Sequence, residues 1–146
     1  MLLRKTFRFE ASHILPKHPG KCSRLHGHSW VLHVFVEGEV DEKTGFVQDF
    51  ADISKIVKPL IERLDHHHLG TIEFDVRDSW KVEGMPYDLY PSSENLLLWI
   101  GNELLRYWDH GNGLERLDWS KLAIEETCTS YAELTREEFD ATWNKS

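Results

Sequence analysis

The chain has 146 residues, the usual size of one domain, and 40% of them are apolar while 29% are charged. This composition excludes a disordered chain or a fibrous repeat, and no apolar run approaches the roughly 20 residues of a membrane span. A formal charge of −8 without a cluster of Lys or Arg argues against nucleic-acid binding. Because the first residues lack the apolar core of a signal peptide, we expect a cytoplasmic location.

The first third of the sequence alternates between apolar and polar residues, which is the period of half-buried strands. The alternation predicts a strand over residues 2–9 and a second over Ser29–Val40, with a loop at 16–23 between them. Turn-forming residues at Asp41–Gly45 predict a hairpin whose return strand covers Phe46–Asp49.

Helical periodicity begins at Ala51, where apolar residues recur at spacings of three and four as far as Leu64. Asp49 or Asp52 is suited to cap this helix, because a short carboxylate accepts from free backbone N–H groups at a helix start. Pro59 within the pattern predicts a bend, since proline has no N–H to donate.

The second half of the sequence predicts a second helix and a further strand. A long loop is predicted over 71–91, followed by a helix that begins at Ser92 or Ser93, buries Trp108 and ends at Gly111–Gly113. A strand is predicted over 117–127. The capping-box pattern Thr135–Glu138 then predicts a short helix. The whole order predicts an α+β fold, with an antiparallel sheet and two helices on one face. No repeat or linker divides residues 1–146, so we expect one domain with a tail from about residue 131.

Nine histidines are the unusual feature of the composition. His26 and His28 open the second predicted strand, and alternate strand residues point to the same face. His13 follows the first predicted strand, which can pair with the second. Three neutral imidazoles with an open fourth position are the ligands of a catalytic zinc ion, whereas ordinary surface or core histidines are the alternative.

Cys22 lies four residues before His26 and has two possible roles. As a fourth ligand it would close a structural metal site, and as a free thiol it would leave one position open for substrate. Lys21 and Arg24 flank it, and nearby positive charge favours the thiolate, which can serve as nucleophile or base. The residues alone leave both roles open.

Two acidic residues are further candidates. Asp65 precedes a run of three histidines and can orient an imidazole for proton transfer, although histidines that lie at a helix end are the alternative. Glu126 shares a strand face with Leu122 and Ile124, where the pattern expects an apolar residue. Its carboxylate either accepts paired N–H groups of a ligand or forms an internal salt bridge.

Six segments of the sequence match, in order, the motifs of a known enzyme family: Phe9–His13, Cys22–His28, Val47–Phe50, Leu64–Leu69, Pro91–Asn95 and Glu126–Thr129. Together they resemble the 6-pyruvoyl tetrahydropterin synthase family. They are most similar to its members in the queuosine (7-deazapurine) pathway, in which three residues separate the cysteine from H-G-H, as here. The resemblance implies the tunnelling fold, a four-stranded antiparallel sheet with two helices on one face, assembled as a homohexamer.

The resemblance also implies the chemistry. The implied roles are zinc binding by His13, His26 and His28, catalysis by Cys22, proton transfer by Asp65 and His66, and pterin anchoring by Glu126. The net charge of −8 opposes a triphosphate at long range, so we expect nearby bases to compensate, with Lys17, Lys21 and Arg24 as the candidates. The implied reaction converts 7,8-dihydroneopterin triphosphate to 6-carboxy-5,6,7,8-tetrahydropterin, acetaldehyde and triphosphate. The alternatives are elimination of triphosphate to the 6-pyruvoyl compound, and a zinc- or pterin-binding protein without turnover.

Overall fold

A computed structural model describes residues 1–70, 90–106, 108–109 and 114–143. The strands in these residues are β1 (Leu2–His13), β2 (His26–Glu37), β3 (His67–His68), β4 (Trp108–Asp109), β5 (Leu114–Glu115), β6 (Lys121–Thr127) and β7 (Ser130–Thr135). The helices are α1 (Phe50–Leu64), α2 (Ser93–Leu105) and α3 (Arg136–Trp143), and a single 3-10 turn covers Lys21–Ser23.

The main sheet has the strand order β3-β1-β2-β6-β7, and β4 pairs with β5 in a separate ribbon. β1, β2, β6 and β7 are antiparallel neighbours, whereas β3 adds two residues parallel to β1 at Ala11–Ser12. The predicted α+β fold is confirmed. Its four-stranded antiparallel sheet is present, with β3 as a short fifth strand at one edge.

One face of the sheet forms the core. Its buried side chains include Phe7, Phe9, Trp30, Leu32, Val34, Leu122 and Ile124, which belong to one cluster with Ile53, Val57 and Leu60 of α1 and Leu97 and Ile100 of α2. Both helices therefore lie on the same face, as predicted. The opposite face of β1 carries exposed polar side chains, among them Arg4, Thr6 and Arg8.

The helix predicted from Ala51 is confirmed as α1. Asp49 caps it, because its carboxylate accepts the N–H of Ala51 at 2.7 Å, and the helix continues through Pro59 to Leu64. Neither α1 nor any other helix in the described residues is long and apolar enough to cross a membrane.

The predicted return strand at Phe46–Asp49 is wrong. The turn before it does form, since the Asp41 carboxylate accepts the N–H groups of Lys43 and Thr44. However, β2 is already paired with β1 along its whole length and with β6 over Val31–Phe35. A further strand has no free edge of β2 to join, and Phe46 remains 56% exposed.

The second half also differs from the prediction at two boundaries. The second helix ends at Leu105, so Trp108 falls in β4 and not on the helix, and the following strand begins at Lys121. The N–H of Leu117 donates to the carbonyl of Leu104 at 2.8 Å, so the returning chain closes the helix end. β7 was not predicted from the residue pattern, and the loop predicted at 71–91 lies outside the described residues except for its last two positions.

The capping box before α3 is confirmed. The carboxylate of Glu138 accepts the backbone N–H of Thr135 at 2.9 Å, and the N–H of Glu138 donates to the Thr135 hydroxyl at 3.2 Å. This exchange satisfies two N–H groups at the helix start. Phe139 of this helix is buried in the core.

The contact between α2 and Trp119 makes a stability prediction. A Cβ atom at Gly101 would lie 2.7 Å from Trp119 Cζ2, and the Trp119 indole is fixed by a 3.0 Å hydrogen bond to the Gly101 carbonyl. Overpacking of this kind costs about 1–3 kcal/mol. Alanine gains roughly 1 kcal/mol in helix propensity over glycine, so we expect Gly101→Ala to lower the free energy of unfolding by up to about 2 kcal/mol.

Urea denaturation measures this difference. Asn102→Ala, at the next position of the same helix, is the control and should unfold near the wild-type midpoint. A Gly101→Ala variant as stable as the wild type would show that the close approach of helix and indole does not limit stability.

Candidate functional site

Three histidine rings converge where β1 ends and β2 begins. His13 pairs with His26 and Ala11 pairs with His28 across the two antiparallel strands. Side chains alternate along a strand, so all three rings lie on the face of the sheet that forms the core. One nitrogen of each histidine lies within 4.8 Å of the others, and the Nε2 atoms of His13 and His26 are 3.0 Å apart.

The hydrogen bonds of two rings fix their tautomers. Nδ1 of His13 lies 2.6 Å from the Pro91 carbonyl, and Nδ1 of His26 lies 2.7 Å from the Arg24 carbonyl. A carbonyl oxygen only accepts, so each Nδ1 carries the proton and each Nε2 presents a lone pair. Two lone pairs that face each other at 3.0 Å repel, and either a proton or a metal ion between or beside them removes this repulsion.

The third ring supports the same conclusion. Nε2 of His28 is buried and has no hydrogen-bond partner among the described residues. Buried polar nitrogens are nearly always paired, so an orphaned one needs an explanation. Three Nε2 atoms aimed at one place, each lacking a donor, are the arrangement that a divalent metal ion completes, and the residues therefore fit the metal that the sequence predicted.

Burial keeps two of these rings in the form that binds metal. Desolvation lowers the pKa of His13 below its ordinary value, although the hydrogen bond to Pro91 and the charge of Glu126 act in the opposite direction. Desolvation also lowers the pKa of His28. Both imidazoles are therefore neutral at pH 7, and neutral imidazole is the metal-binding form.

Trp30 packs against two of the three histidine rings. Its indole is fully buried and meets His13 and His28 edge-to-face, with ring centroids 5.2 and 5.3 Å apart. Its N–H donates to the Ala11 carbonyl at 3.1 Å, which fixes the indole plane. The alternation over Ser29–Val40 placed Trp30 in the second predicted strand but did not identify this contact.

Glu126 faces the histidines. One of its carboxylate oxygens lies 3.6 Å from Nε2 of His13 and 3.7 Å from Nε2 of His28. The register of β6 and β7 shifts between Glu125 and Thr127, a bulge that locally re-aims the strand. The Glu126 side chain is 24% exposed, so its carboxylate can reach both the three histidines and a ligand that enters from solvent.

Cys22 lies in the loop between β1 and β2, within the 3-10 turn. The N–H of Leu15 donates to the Cys22 carbonyl at 3.0 Å and ties the turn to the end of β1. The side chain is partly exposed, and the cysteine is free. Among the described residues the convergent ligand group consists of the three histidines and does not include Cys22, which favours the free-thiol role over the closed four-ligand site.

Asp65 and His66 form a pair at the edge of β1. One Asp65 oxygen accepts the N–H of Glu10 at 2.8 Å, and the other lies 2.9 Å from Nδ1 of His66. His66 has a positive φ of 58° and donates its N–H to the Glu10 carbonyl at 2.6 Å. Within the described residues these hydrogen bonds join the pair to Glu10 and not to the three histidines or Cys22. The His66 side chain is 79% exposed.

Comparison with known proteins identifies the family. The model of the family described as 6-pyruvoyl tetrahydropterin synthase matches residues 2–137. The chain belongs to this family. A 6-carboxy-5,6,7,8-tetrahydropterin synthase of Synechocystis sp. is 35% identical over 90% of each chain. A dihydroneopterin monophosphate aldolase of Pyrococcus furiosus is 31% identical over 75% of this chain and 79% of its own.

Solved structures agree on the fold. The 6-pyruvoyl tetrahydropterin synthase of Caenorhabditis elegans superposes with a TM-score of 0.71 and 23% identity, over 92% of this chain and 94% of its own. The present chain therefore has the tunnelling fold and is a pterin-processing member of its family, with a histidine cluster able to hold a metal ion.

The geometry of Asp65 predicts a pH dependence of stability. The N–H of Glu10 and then the hydrogen bond to His66 lower the pKa of this carboxyl below its ordinary value. A carboxyl whose pKa is lower when folded stabilises the protein above its unfolded pKa of about 3.9, and this stabilisation is lost as the pH falls through the folded pKa.

Asp65→Asn should therefore lower the urea midpoint at pH 6, and the difference from the wild type should shrink as the pH falls below 4. Asp52→Asn, in the first turn of α1, is the control for loss of one carboxylate. A constant difference between Asp65→Asn and the wild type from pH 6 to pH 3 would contradict the proposed charge interaction.

Proposed function

We propose that this chain converts 7,8-dihydroneopterin triphosphate and one water molecule to 6-carboxy-5,6,7,8-tetrahydropterin, acetaldehyde and triphosphate. The observation that carries the proposal is the convergence of three histidine Nε2 atoms beside the Glu126 carboxylate. The name of the Synechocystis relative supports the choice of reaction. So does the spacing of Cys22 from His26, which leaves three residues between them.

Zinc is the proposed metal, held by His13, His26 and His28. When bound there, it supplies a positive charge that polarises the side-chain oxygens of the substrate. The three imidazoles are neutral ligands and leave one position open, which is the usual arrangement at catalytic zinc. The fixed tautomers of His13 and His26 keep this arrangement ready before the ion arrives.

Cys22 is the proposed base. Its thiolate would accept the proton from the substrate side-chain carbon next to the polarised oxygen. Partial exposure lets substrate reach the sulfur, and the tie from Leu15 to the Cys22 carbonyl limits where the sulfur can lie. The position of a base matters, because an error of about 1 Å can change a rate by roughly 100-fold.

Glu126 is the proposed anchor for the pterin ring. A carboxylate accepts two N–H groups in parallel, which fixes a planar heterocycle in one orientation. Because Glu126 lies within 4 Å of two of the histidines, a ring held there would present its side chain to the metal. Asp65 and His66 are the proposed proton relay, in which the hydrogen bond from Asp65 orients the imidazole.

The triphosphate requires local positive charge, since the net charge of the chain is −8. Lys17, Lys21 and Arg24 are the proposed contacts. The Lys17 ammonium lies 5.1 Å from the centroid of the Tyr90 ring, next to the Pro91 carbonyl that holds His13. Lys21 and Arg24 lie on either side of Cys22 in the sequence.

We also propose a homohexamer. β3 covers only Ala11 and Ser12 of β1, and β7 is the last strand on the other side of the sheet. Within the described residues, most of β1 and the outer side of β7 are therefore open edges. Open edges invite strand pairing between chains, and homo-oligomers commonly use this interaction.

The metal prediction is direct. We expect the purified protein to hold about one zinc ion per chain, and His28→Ala to lose most of it, because the substitution removes one of three ligands. His33→Ala is a matched control on the same strand, since His33 bonds to Thr6 and Glu125 away from the cluster. Metal analysis after gel filtration measures the content. A His28→Ala variant that keeps a full equivalent would exclude this ligand set.

The role of Cys22 makes a separate prediction. Cys22→Ala should retain zinc but lose activity by about 100-fold or more, the usual effect of removing a positioned base. Cys128→Ala, which changes the exposed second cysteine, should retain both zinc and activity. Loss of zinc from Cys22→Ala would instead identify Cys22 as a fourth ligand.

The product decides the reaction. Incubation with 7,8-dihydroneopterin triphosphate, followed by mass spectrometry, should yield the 6-carboxy compound and one acetaldehyde for each triphosphate. Triphosphate without acetaldehyde would assign the alternative, a 6-pyruvoyl tetrahydropterin synthase. Turnover of dihydroneopterin monophosphate alone would assign the activity named for the Pyrococcus relative, and no turnover of either compound would leave a binding protein.

A further inference from the structure

The Pro91 carbonyl holds the most buried of the three candidate ligands. His13 is fully buried, and its Nδ1–H donates to this carbonyl at 2.6 Å. The hydrogen bond sets both the tautomer and the rotation of the ring, so it decides where Nε2 points. The second nitrogen of a metal-binding histidine is commonly held in this way, and the group that holds it matters for affinity.

The position of this carbonyl depends on the chain just before α2. The Tyr90 carbonyl accepts the N–H of Ser92 at 2.8 Å and the side-chain amide of Asn95 at 2.9 Å, which bends the chain around Pro91. Ser92 caps the helix, since its hydroxyl accepts the N–H of Asn95 at 3.3 Å. Apart from the ring of His13, Asn95 provides the only side-chain hydrogen bond to the Tyr90–Pro91 backbone in the described residues.

We infer that Asn95 is a positioning residue for the metal ligand His13. Asn95 acts through the backbone. Its side-chain amide holds the Tyr90 carbonyl, and this places the Pro91 carbonyl where it accepts Nδ1–H of His13. The ring is then oriented so that its Nε2 points at His26 and His28. The role requires an N–H donor on a short side chain, which excludes aspartate at this position. The inference rests on the proposed metal site and deepens it.

Metal affinity tests the inference without reference to turnover. The affinity of the metal-free protein for Co²⁺ is measured by competition with a chelator, and the ligand-field spectrum reports the geometry. We expect Asn95→Ala to bind Co²⁺ about tenfold more weakly than the wild type. Removal of a group that supports a metal ligand usually lowers metal affinity by about 10- to 100-fold. The smaller loss is expected here, because the Pro91 carbonyl is displaced and not removed. Its spectrum should change as well.

Asn102→Ala is the matched control. It makes the same substitution in the same helix, about 10 Å farther along the axis, and should bind Co²⁺ within twofold of the wild type. Alanine suits a helix at both positions, and thermal unfolding of each variant checks that it is folded. A ¹⁵N spectrum of the metal-free protein adds a direct readout, since the hydrogen-bonded Nδ1–H signal of His13 should move in Asn95→Ala and stay in Asn102→Ala.

The outcomes separate this inference from the metal site itself. The metal site stands if the wild type binds one Co²⁺ and His26→Ala abolishes this binding. If Asn95→Ala then binds Co²⁺ like the wild type, the positioning role of Asn95 is overturned. If the wild type binds no Co²⁺, or His26→Ala binds it unchanged, the site fails and the inference with it. Should Asn95→Ala fail to fold, Asn95→Asp replaces it, keeping the size but lacking the donor, and wild-type affinity there also overturns the role.

Discussion

The register of β1 against β2 is the constraint on which the site depends. His13 pairs with His26, and the same register pairs Phe9 with Trp30 in the core. A slip of one residue would turn every side chain of one strand to the other face, which would expose Trp30 and separate the histidines. The burial of the two aromatic residues therefore stabilises the register, and the register brings the rings together.

The site extends the core with polar groups that are only partly satisfied. His13 is as buried as the apolar residues beside it, and an unpaired buried polar group costs about 1–3 kcal/mol. The hydrogen bond to Pro91 offsets this cost on one side of the ring. The other side faces Nε2 of His26 and a carboxylate oxygen of Glu126, so the remaining polar atoms are arranged around a place suited to a cation.

Irregular backbone brings the other candidate residues to the surface of this regular sheet. Glu126 lies at the bulge where β6 and β7 change register. His66 has a positive φ, an uncommon conformation for a residue with a side chain, and Asp65 beside it bonds to the backbone of β1. Such features cost free energy and persist where the surrounding structure fixes them, which is common at functional sites.

Periodicity and short motifs determined much of this protein from the sequence alone. The spacing of apolar residues gave α1, the Thr135–Glu138 pair gave the start of α3, and alternation in His26-Gly27-His28 put two rings on one face, because each of these features depends on neighbours in the chain. Tertiary structure decided the rest. Phe46–Asp49 could not pair with β2, because β1 and β6 already occupy both of its edges, and β7 became the fourth antiparallel strand on the free edge of β6. The Pro91 carbonyl met His13 across 78 residues. A backbone carbonyl is the same in every residue, so no sequence pattern could have identified that contact.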